Sequence, residues 1–411
     1  MITKLNSKFK LIRLLFQIYS GKKPDLKEIE KMGLLAIKIS QYYALRVDFL
    51  NPDVCLHLSK LYENSYSENE KELPVLLEKD IDLLKLFSEY DVKPFASASI
   101  GQIHLGVLKS NNEKVAIKVI RKNSENEFKD DIKNYKKIIK ILLFFYPKLR
   151  KVFNPLEAIE YIENSTLREL NFKNELDGAK LFKRLKYENC DRFDLEKLRF
   201  SEFIDEYCTE RILISKFIEG ESFNTLLDRK KLKYEDLLLL FKYHSFYMFK
   251  LGVFHGDIHP GNIIIDRFGN INLIDCSTIG EINDKLRIGL FGFFYYLSRY
   301  DYINAAKYLN KMSIVELSSN KFEAFLSKFI DLYSDFKDSD VSKVSLTKRM
   351  METIKLGVNS GMEFPQGMFH VIKSLMYLDG MVLKCNPHTN LMTDIKEFTK
   401  LLEKDIDFKN D

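Results

Sequence analysis

The sequence predicts an α+β fold of two lobes, a small one built on a mixed β-sheet and a larger helical one, with a helical extension ahead of both. Three observations carry this. Ile103 to Leu108, a Ser110-Asn111-Asn112 turn and Lys114 to Ile120 together make a hairpin signature. A second loop-and-hairpin segment, Val253 to Ile279, stands between long stretches of helical rhythm. The chain has 411 residues, 45% of them apolar, which is enough for more than one sizeable core, and its 32 phenylalanines and 21 tyrosines make those cores aromatic.

Taken in order, residues 1–25 are a basic amphipathic helix. Leu5, Phe9, Ile12, Phe16 and Tyr19 share one face, with Lys10 and Arg13 off it. That face suits a membrane surface, and it equally suits a helix docked on the protein's own core; the pattern leaves both open. Residues 26–92 are a helical extension, with Leu35, Ile39 and Tyr43 spaced by four and few turn signals before Pro74. Residues 93–220 make the small lobe: the hairpin, a charged helical stretch from Glu125 to Lys186 broken near Pro147 and Pro155, and a compact apolar strand, Arg211 to Ile218, ending at Glu219-Gly220. Residues 221–405 make the larger lobe, with a helix over Tyr234 to Lys250, the second hairpin, and then helices nearly to the end. Two lobes joined at a strand form a natural nucleotide cleft.

The net charge of +5 is concentrated at one end, where Lys4, Lys8, Lys10, Arg13, Lys22 and Lys23 precede the first acidic residue, Asp25. The rest of the chain is near neutral, and nucleic acid is not an expected partner because its binders carry a basic stripe or groove. Five scattered cysteines form no CxxC pair and read as reduced thiols in the cytoplasm. Arg13 interrupts the early apolar run, and the longest apolar runs are far shorter than the roughly 20 residues of a spanning helix, so neither a secretory signal nor a transmembrane segment is expected.

The chemistry concentrates in His255-Gly256-Asp257-Ile258-His259-Pro260-Gly261-Asn262, followed by an apolar strand, the turn Gly269-Asn270, and Ile271-Asn272-Leu273-Ile274-Asp275. A carboxylate, an amide five residues on and a second carboxylate after the next strand converge when the hairpin folds back. Such oxygen ligands suit Mg²⁺, which takes a few protein oxygens and completes its octahedron with phosphate and water. Protein kinases use the same Asp-to-Asn spacing, which makes Asp257 the candidate base and Asn262 and Asp275 the candidate metal ligands. Val115-Ala116-Ile117-Lys118 ends the first hairpin, where Lys118 can hold α/β-phosphates if a carboxylate orients it. The small side chains of Ala96, Ser97, Ala98 and Ser99, ahead of Ile100-Gly101-Gln102, let backbone approach phosphate. Glu169 and Glu175 offer two carboxylates, one for Lys118 and one for something else. By themselves Lys38 and Gln41 read as solvated polar residues on a helix.

Together and in this order, these elements resemble the UbiB/AarF atypical kinases, associated with ubiquinone biosynthesis, over roughly residues 26 to 405. The resemblance implies a protein-kinase-like fold whose extension carries a KxGQ motif (Lys38 to Gln41), with an alanine-rich loop (Ala96 to Gln102) and an ExD motif (Glu169 to Asn171). It also implies that Lys118 is the phosphate lysine, Glu175 its partner, and Lys216 to Ile218 the hinge that meets adenine. The implied ligands are ATP and Mg²⁺, and the implied activity is ATP hydrolysis or phosphoryl transfer supporting isoprenoid-quinone or other lipid metabolism. The family's extension covers the cleft where a protein substrate would lie, so phosphorylation of proteins in trans is not implied. A lipid or quinone precursor and a peripheral membrane surface, at the inner face of the membrane, are the implied partners.

Several positions depart from the pattern. Ser40 replaces the glycine of KxGQ, Asn171 replaces the ExD aspartate, and Cys276 and Ser277 follow Asp275 where the family usually has Phe-Gly. Gly256 stands where protein kinases have an arginine, so a phosphorylated activation loop has no evident reader. These departures keep a second reading open, a nucleotide-binding pseudokinase scaffold. The aminoglycoside phosphotransferases share only the HGDxHPGN segment and leave Lys38 to Gln41 and the alanine-rich loop unaccounted for.

Overall fold

The computed structural model describes residues 2–62, 72–77, 82–98, 100–120, 123–145, 155–337 and 339–408. Two compact units result, neither continuous in sequence. The first gathers Met1–Ala44, Asp53–Arg184 and Phe200–Glu219, and the second Leu45–Pro52, Leu185–Arg199 and Gly220–Asp411.

Along the chain come helices α1 (Ile2–Tyr19), α2 (Leu26–Lys31), α3 (Leu34–Ala44), α4 (Pro52–Ser59), α5 (Leu73–Leu77), α6 (Leu83–Leu86), α7 (Ser124–Phe145), α8 (Pro155–Glu169) and α9 (Lys173–Asn189). The first six strands are β1 (Phe87–Tyr90), β2 (Ala96–Ala98), β3 (Gly101–Leu108), β4 (Lys114–Val119), β5 (Leu198–Phe200) and β6 (Ile212–Lys216). All of these but β5 make the antiparallel sheet of the first unit, in the order β1-β3-β4-β6 with β2 paired to β3. The expected hairpin is thus β3-β4, in a register that sets Ile103 opposite Lys118. Alternation does the sorting: Val115, Ile117 and Val119 point into a core with Leu73, Leu77, Phe87, Leu108, Ile212 and Ile214, which sends Lys118 to the opposite face. Gly101 is required here, since a β-carbon on it would lie 2.8 Å from the Val119 carbonyl oxygen.

Leu5 and Phe9 of the expected apolar face have side chains outside the described ones, and from Lys10 on the amphipathic helix is buried on a side other than that of Phe16. Among the described side chains of α1, Leu11, Leu14, Leu15 and Ile18 are buried, whereas Phe16 and Tyr19 remain 70% and 40% exposed. A helix this rich in apolar residues carries two candidate faces, and Tyr19, from the face that spacing suggested, still meets α3, its hydroxyl 3.0 Å from that of Tyr43.

The second unit holds strands β7 (Gly220–Ser222), β8 (Val253–His255), β9 (Ile263–Asp266), β10 (Ile271–Leu273) and β11 (Ile279–Glu281), with β5-β10-β9-β7 forming one sheet and β11-β8 another. Its helices are α10 (Phe223–Asp228), α11 (Tyr234–Ser245), α12 (Asp284–Leu297), α13 (Tyr302–Lys311), α14 (Ser319–Leu332), α15 (Leu346–Ser360), α16 (Gly367–Cys385) and α17 (Leu391–Leu402). The long helix expected over Tyr234 to Lys250 changes to a π-helical turn at Phe246–Leu251. Aromatic packing dominates the core, as the composition requires: Phe291 meets Phe408 edge-on at 4.9 Å, and Phe329 lies 4.7 Å from Tyr333. Among the described residues no helix is long and apolar enough to cross a membrane.

Candidate functional site

In the first unit, the two glutamates are divided between two lysines. Lys118 Nζ donates to Glu175 Oε2 at 2.6 Å, the side chains being only 12% and 6% exposed, and the ammonium also lies 5.1 Å from the Phe172 ring centroid. Glu175 reaches it from the first turn of α9, where a carboxylate also meets the positive end of the helix. Glu169, at the end of α8, pairs instead with Lys38 of α3, 131 residues away in sequence. The open choice between the two carboxylates is thereby resolved by the fold.

Asn171, in the place of the ExD aspartate, does not join Lys38. Its side-chain oxygen accepts from the Lys173 amide at 3.0 Å at the entrance of α9. The Gln41 amide group donates to the Leu61 carbonyl at 2.9 Å, and the Tyr62 hydroxyl returns a bond to the Gln41 carbonyl, so this residue ties the extension to itself. Ser40 is fully buried, and its hydroxyl has no hydrogen-bond partner among the described residues.

Ala96, Ser97 and Ala98 lie on β2, opposite Ile103, Gln102 and Gly101. Ser99 falls outside the described residues. Lys216 is exposed, and its ammonium sits between Glu202 at 3.1 Å and Glu113 at 3.4 Å. Its own amide donates to Glu202 O, and the next, from Phe217, to Lys114 O. The half-buried Ile218 follows, past the end of the ladder.

In the second unit, one hydrogen-bonded network gathers the catalytic-loop residues. The amide of Asp257 donates to His255 Nδ1 at 3.1 Å, which makes Nε2 the protonated nitrogen, and Nε2 donates to Ile274 O at 3.1 Å. Asn262 Nδ2 donates to Asp257 O at 3.1 Å, and Asn262 O accepts from the Ile274 amide at 2.9 Å. The residue after Ile274 is Asp275, so His255 and Asn262 lash the strand that carries it to the loop that carries Asp257. Burial holds the His255 pKa below its ordinary value, which preserves the neutral tautomer this bridge needs. Gly256 has a steric reason to stand in the loop: a β-carbon there would lie 2.8 Å from the Thr278 methyl group.

Asp275 has φ 55, the left-handed region that few non-glycine residues adopt, and such outliers concentrate at functional sites. The Ser277 hydroxyl donates to its Oδ1 at 2.7 Å, so the departure from Phe-Gly supplies an anchor for the carboxylate. Cys276 is buried, a small core residue rather than an accessible thiol.

Asp257 is held by residues that spacing did not reveal. Lys373 Nζ stands 3.1 Å from its enclosed Oδ1, and the Tyr377 hydroxyl favours the charged form of the same carboxyl. Burial pushes the Asp257 pKa up, but Lys373, His259 and Tyr377 outweigh it and keep the group below its ordinary value, even with Asp275 near enough to oppose them. Nothing in the sequence around Lys373 signals this contact, because it depends on how α16 packs.

Among the described residues no three His, Cys, Asp or Glu side chains cluster as a metal site. The pair Asn262 and Asp275 fits Mg²⁺ as it is held with a nucleotide, where one or two protein oxygens share the ion with phosphates.

Residues 63–309 match the family described as ABC1 atypical kinase-like domain. The "uncharacterized protein in hydrogenase 1 5′ region" of Clostridium pasteurianum is 28% identical over 400 residues, covering 93% of this chain and 71% of that one. The "probable protein kinase UbiB" of Vibrio cholerae is 25% identical over 385 residues, covering 90% and 68%. Among solved structures, the Rv3197–erythromycin complex from Mycobacterium tuberculosis aligns with a TM-score of 0.49 and 16% identity, covering 76% of this chain and 82% of that one.

Proposed function

This chain belongs to the ABC1 atypical kinase-like family, the family of the UbiB proteins, and from that premise we propose that it binds MgATP and hydrolyses it or transfers its terminal phosphoryl group. The observation that carries this reading is the network that ties Asp257, Asn262 and the strand into Asp275 together. Asn262 and Asp275 would hold Mg²⁺, which neutralises charge on the phosphates. Lys118, oriented by Glu175, would meet the α/β-phosphates, as a desolvated ammonium with a fixed counter-ion is suited to do. With the Lys216 amide engaged by Glu202 O and the Phe217 amide by Lys114 O, the Ile218 amide would be the hinge donor to adenine. Asp257 would orient the attacking hydroxyl or water.

The acceptor we propose is a small molecule of isoprenoid-quinone or other lipid metabolism, on the strength of the resemblance to UbiB. Purified protein should turn over ATP only with Mg²⁺, faster with liposomes and phenolic quinone precursors, and Asp275→Asn should abolish that turnover. Undiminished turnover in this variant would refute the site. Nucleotide-dependent thermal stabilisation without turnover under any of these conditions would favour the scaffold reading.

The same proposal places the outer face of α1 on an anionic membrane, from the cytoplasmic side. Phe16 is exposed on α1, as are Lys10, Arg13, Lys22 and Lys23 on and just after it, so one short segment offers an apolar anchor and positive charge.

A further inference from the structure

The loop that carries Asp257 grips its main chain: the amide bonds His255 Nδ1, and the carbonyl bonds Asn262 Nδ2. Besides the His259 ring of the loop itself, two groups that favour its charged form come from elsewhere, one turn apart on α16. The Lys373 ammonium, 13% exposed, faces Oδ1 at 3.1 Å, and the Tyr377 hydroxyl helps to keep the same group charged. Positions i and i+4 share a helix face, so a single helix presents both groups to one carboxylate. The arrangement is braced: the Tyr377 ring packs edge-on against the His259 ring at 5.5 Å, and the Lys373 ammonium lies 5.9 Å from the Tyr377 centroid. All of α16 lies beyond residues 63–309, the segment that matches the family.

We propose that Lys373 and Tyr377 are positioning residues for Asp257, a two-point clamp from α16 that fixes which carboxylate oxygen is turned toward the attacking hydroxyl or water. Oδ1 is enclosed against Lys373 while the side chain as a whole stays 28% exposed, so the clamp covers one side of the carboxylate and leaves the rest accessible. Without it, rotation about the Asp257 side chain would trade the reactive geometry for several unreactive ones, a loss that falls on the chemical step and not on nucleotide affinity. The proposal rests on the reading of Asp257 given above.

The test compares Lys373→Met, Lys373→Arg and Tyr377→Phe with the wild type in steady-state ATP turnover and in binding of MgADP with and without fluoroaluminate, a mimic of the phosphoryl group in flight. In Lys373→Met, kcat should fall roughly tenfold to a hundredfold with KM for MgATP within about twofold. The affinity gained on adding fluoroaluminate should be lost, and MgADP affinity alone preserved. Lys373→Arg should recover most of kcat, because one charge at one oxygen is what the geometry asks for. Tyr377→Phe should lose less than Lys373→Met and serves should the latter not fold. Unchanged kcat and fluoroaluminate gain in Lys373→Met, or turnover above wild type, as an inhibitory latch would give, would overturn the clamp. A wild type that binds MgADP with no gain from fluoroaluminate would overturn the clamp and leave nucleotide binding standing. A wild type that binds neither MgATP nor MgADP would overturn the proposed function itself.

Discussion

At Ser40 the hydroxyl is buried with no partner among the described residues, on a helix that also carries Lys38 toward Glu169. An unsatisfied buried hydroxyl costs about 1–3 kcal/mol, so Ser40→Ala should stabilise the protein by about 1 kcal/mol, seen as a higher urea midpoint. Ser40→Gly should gain less, since glycine in a helix interior costs roughly 1 kcal/mol relative to alanine. Ser277 has the opposite standing. Its hydroxyl anchors Asp275 Oδ1, and removing a hydrogen bond of about 1 kcal/mol in Ser277→Ala should raise the Mg²⁺ concentration for half-maximal turnover roughly fivefold. The replacement of Phe-Gly by Cys-Ser was legible as a departure. Its consequence was not, because a two-residue hydrogen bond needs the left-handed backbone at Asp275 to close.

At the scale of elements, the β3-β4 hairpin and the segment from His255 to Asp275 were readable because alternation and turn residues are local signals. The three-residue strands β5 and β7 gave no such signal; they exist because β9 and β10 offer them an edge. Helix α1 shows the limit of periodicity. Its apolar residues outnumber one face, and among its described side chains Leu11, Leu14, Leu15 and Ile18 are the buried ones. The face left outside makes a prediction. The wild-type protein should float with vesicles containing anionic lipid and much less with zwitterionic ones, and Phe16→Ser combined with Arg13→Glu should abolish flotation without loss of thermal stability. Equal flotation of the two forms would count against membrane contact.

For the molecule as a whole, buried histidines set the response to acid. Burial lowers the pKa of His244 from 6.5 to about 3, and burial also lowers those of His104 and His255. A folded-state pKa below the unfolded one means that under pH 6.5 the unfolded chain takes up protons that the folded chain refuses. Stability is therefore whole above about pH 6.5 and declines as the pH falls, for His244 until about pH 3. Urea midpoints measured from pH 7.5 down to 5 should drop, and His244→Phe should flatten that slope; a slope unchanged by this variant would remove His244 as its source.

The α+β class was readable from the amino-acid order, as was the segment that draws Asp257, Asn262 and the strand into Asp275 together, because alternation and turn residues are local signals and a hairpin closes the bonds among His255, Asn262 and Ile274 by itself. Packing made the other assignments: Glu175 to Lys118 and Glu169 to Lys38, the buried face of α1, and Lys373 with Tyr377 at Asp257. Those contacts join residues far apart along the chain, 57 and 131 positions for the two lysine–glutamate pairs. Over such separations the partner of a charge is settled by which helix faces pack together, and no local pattern encodes that.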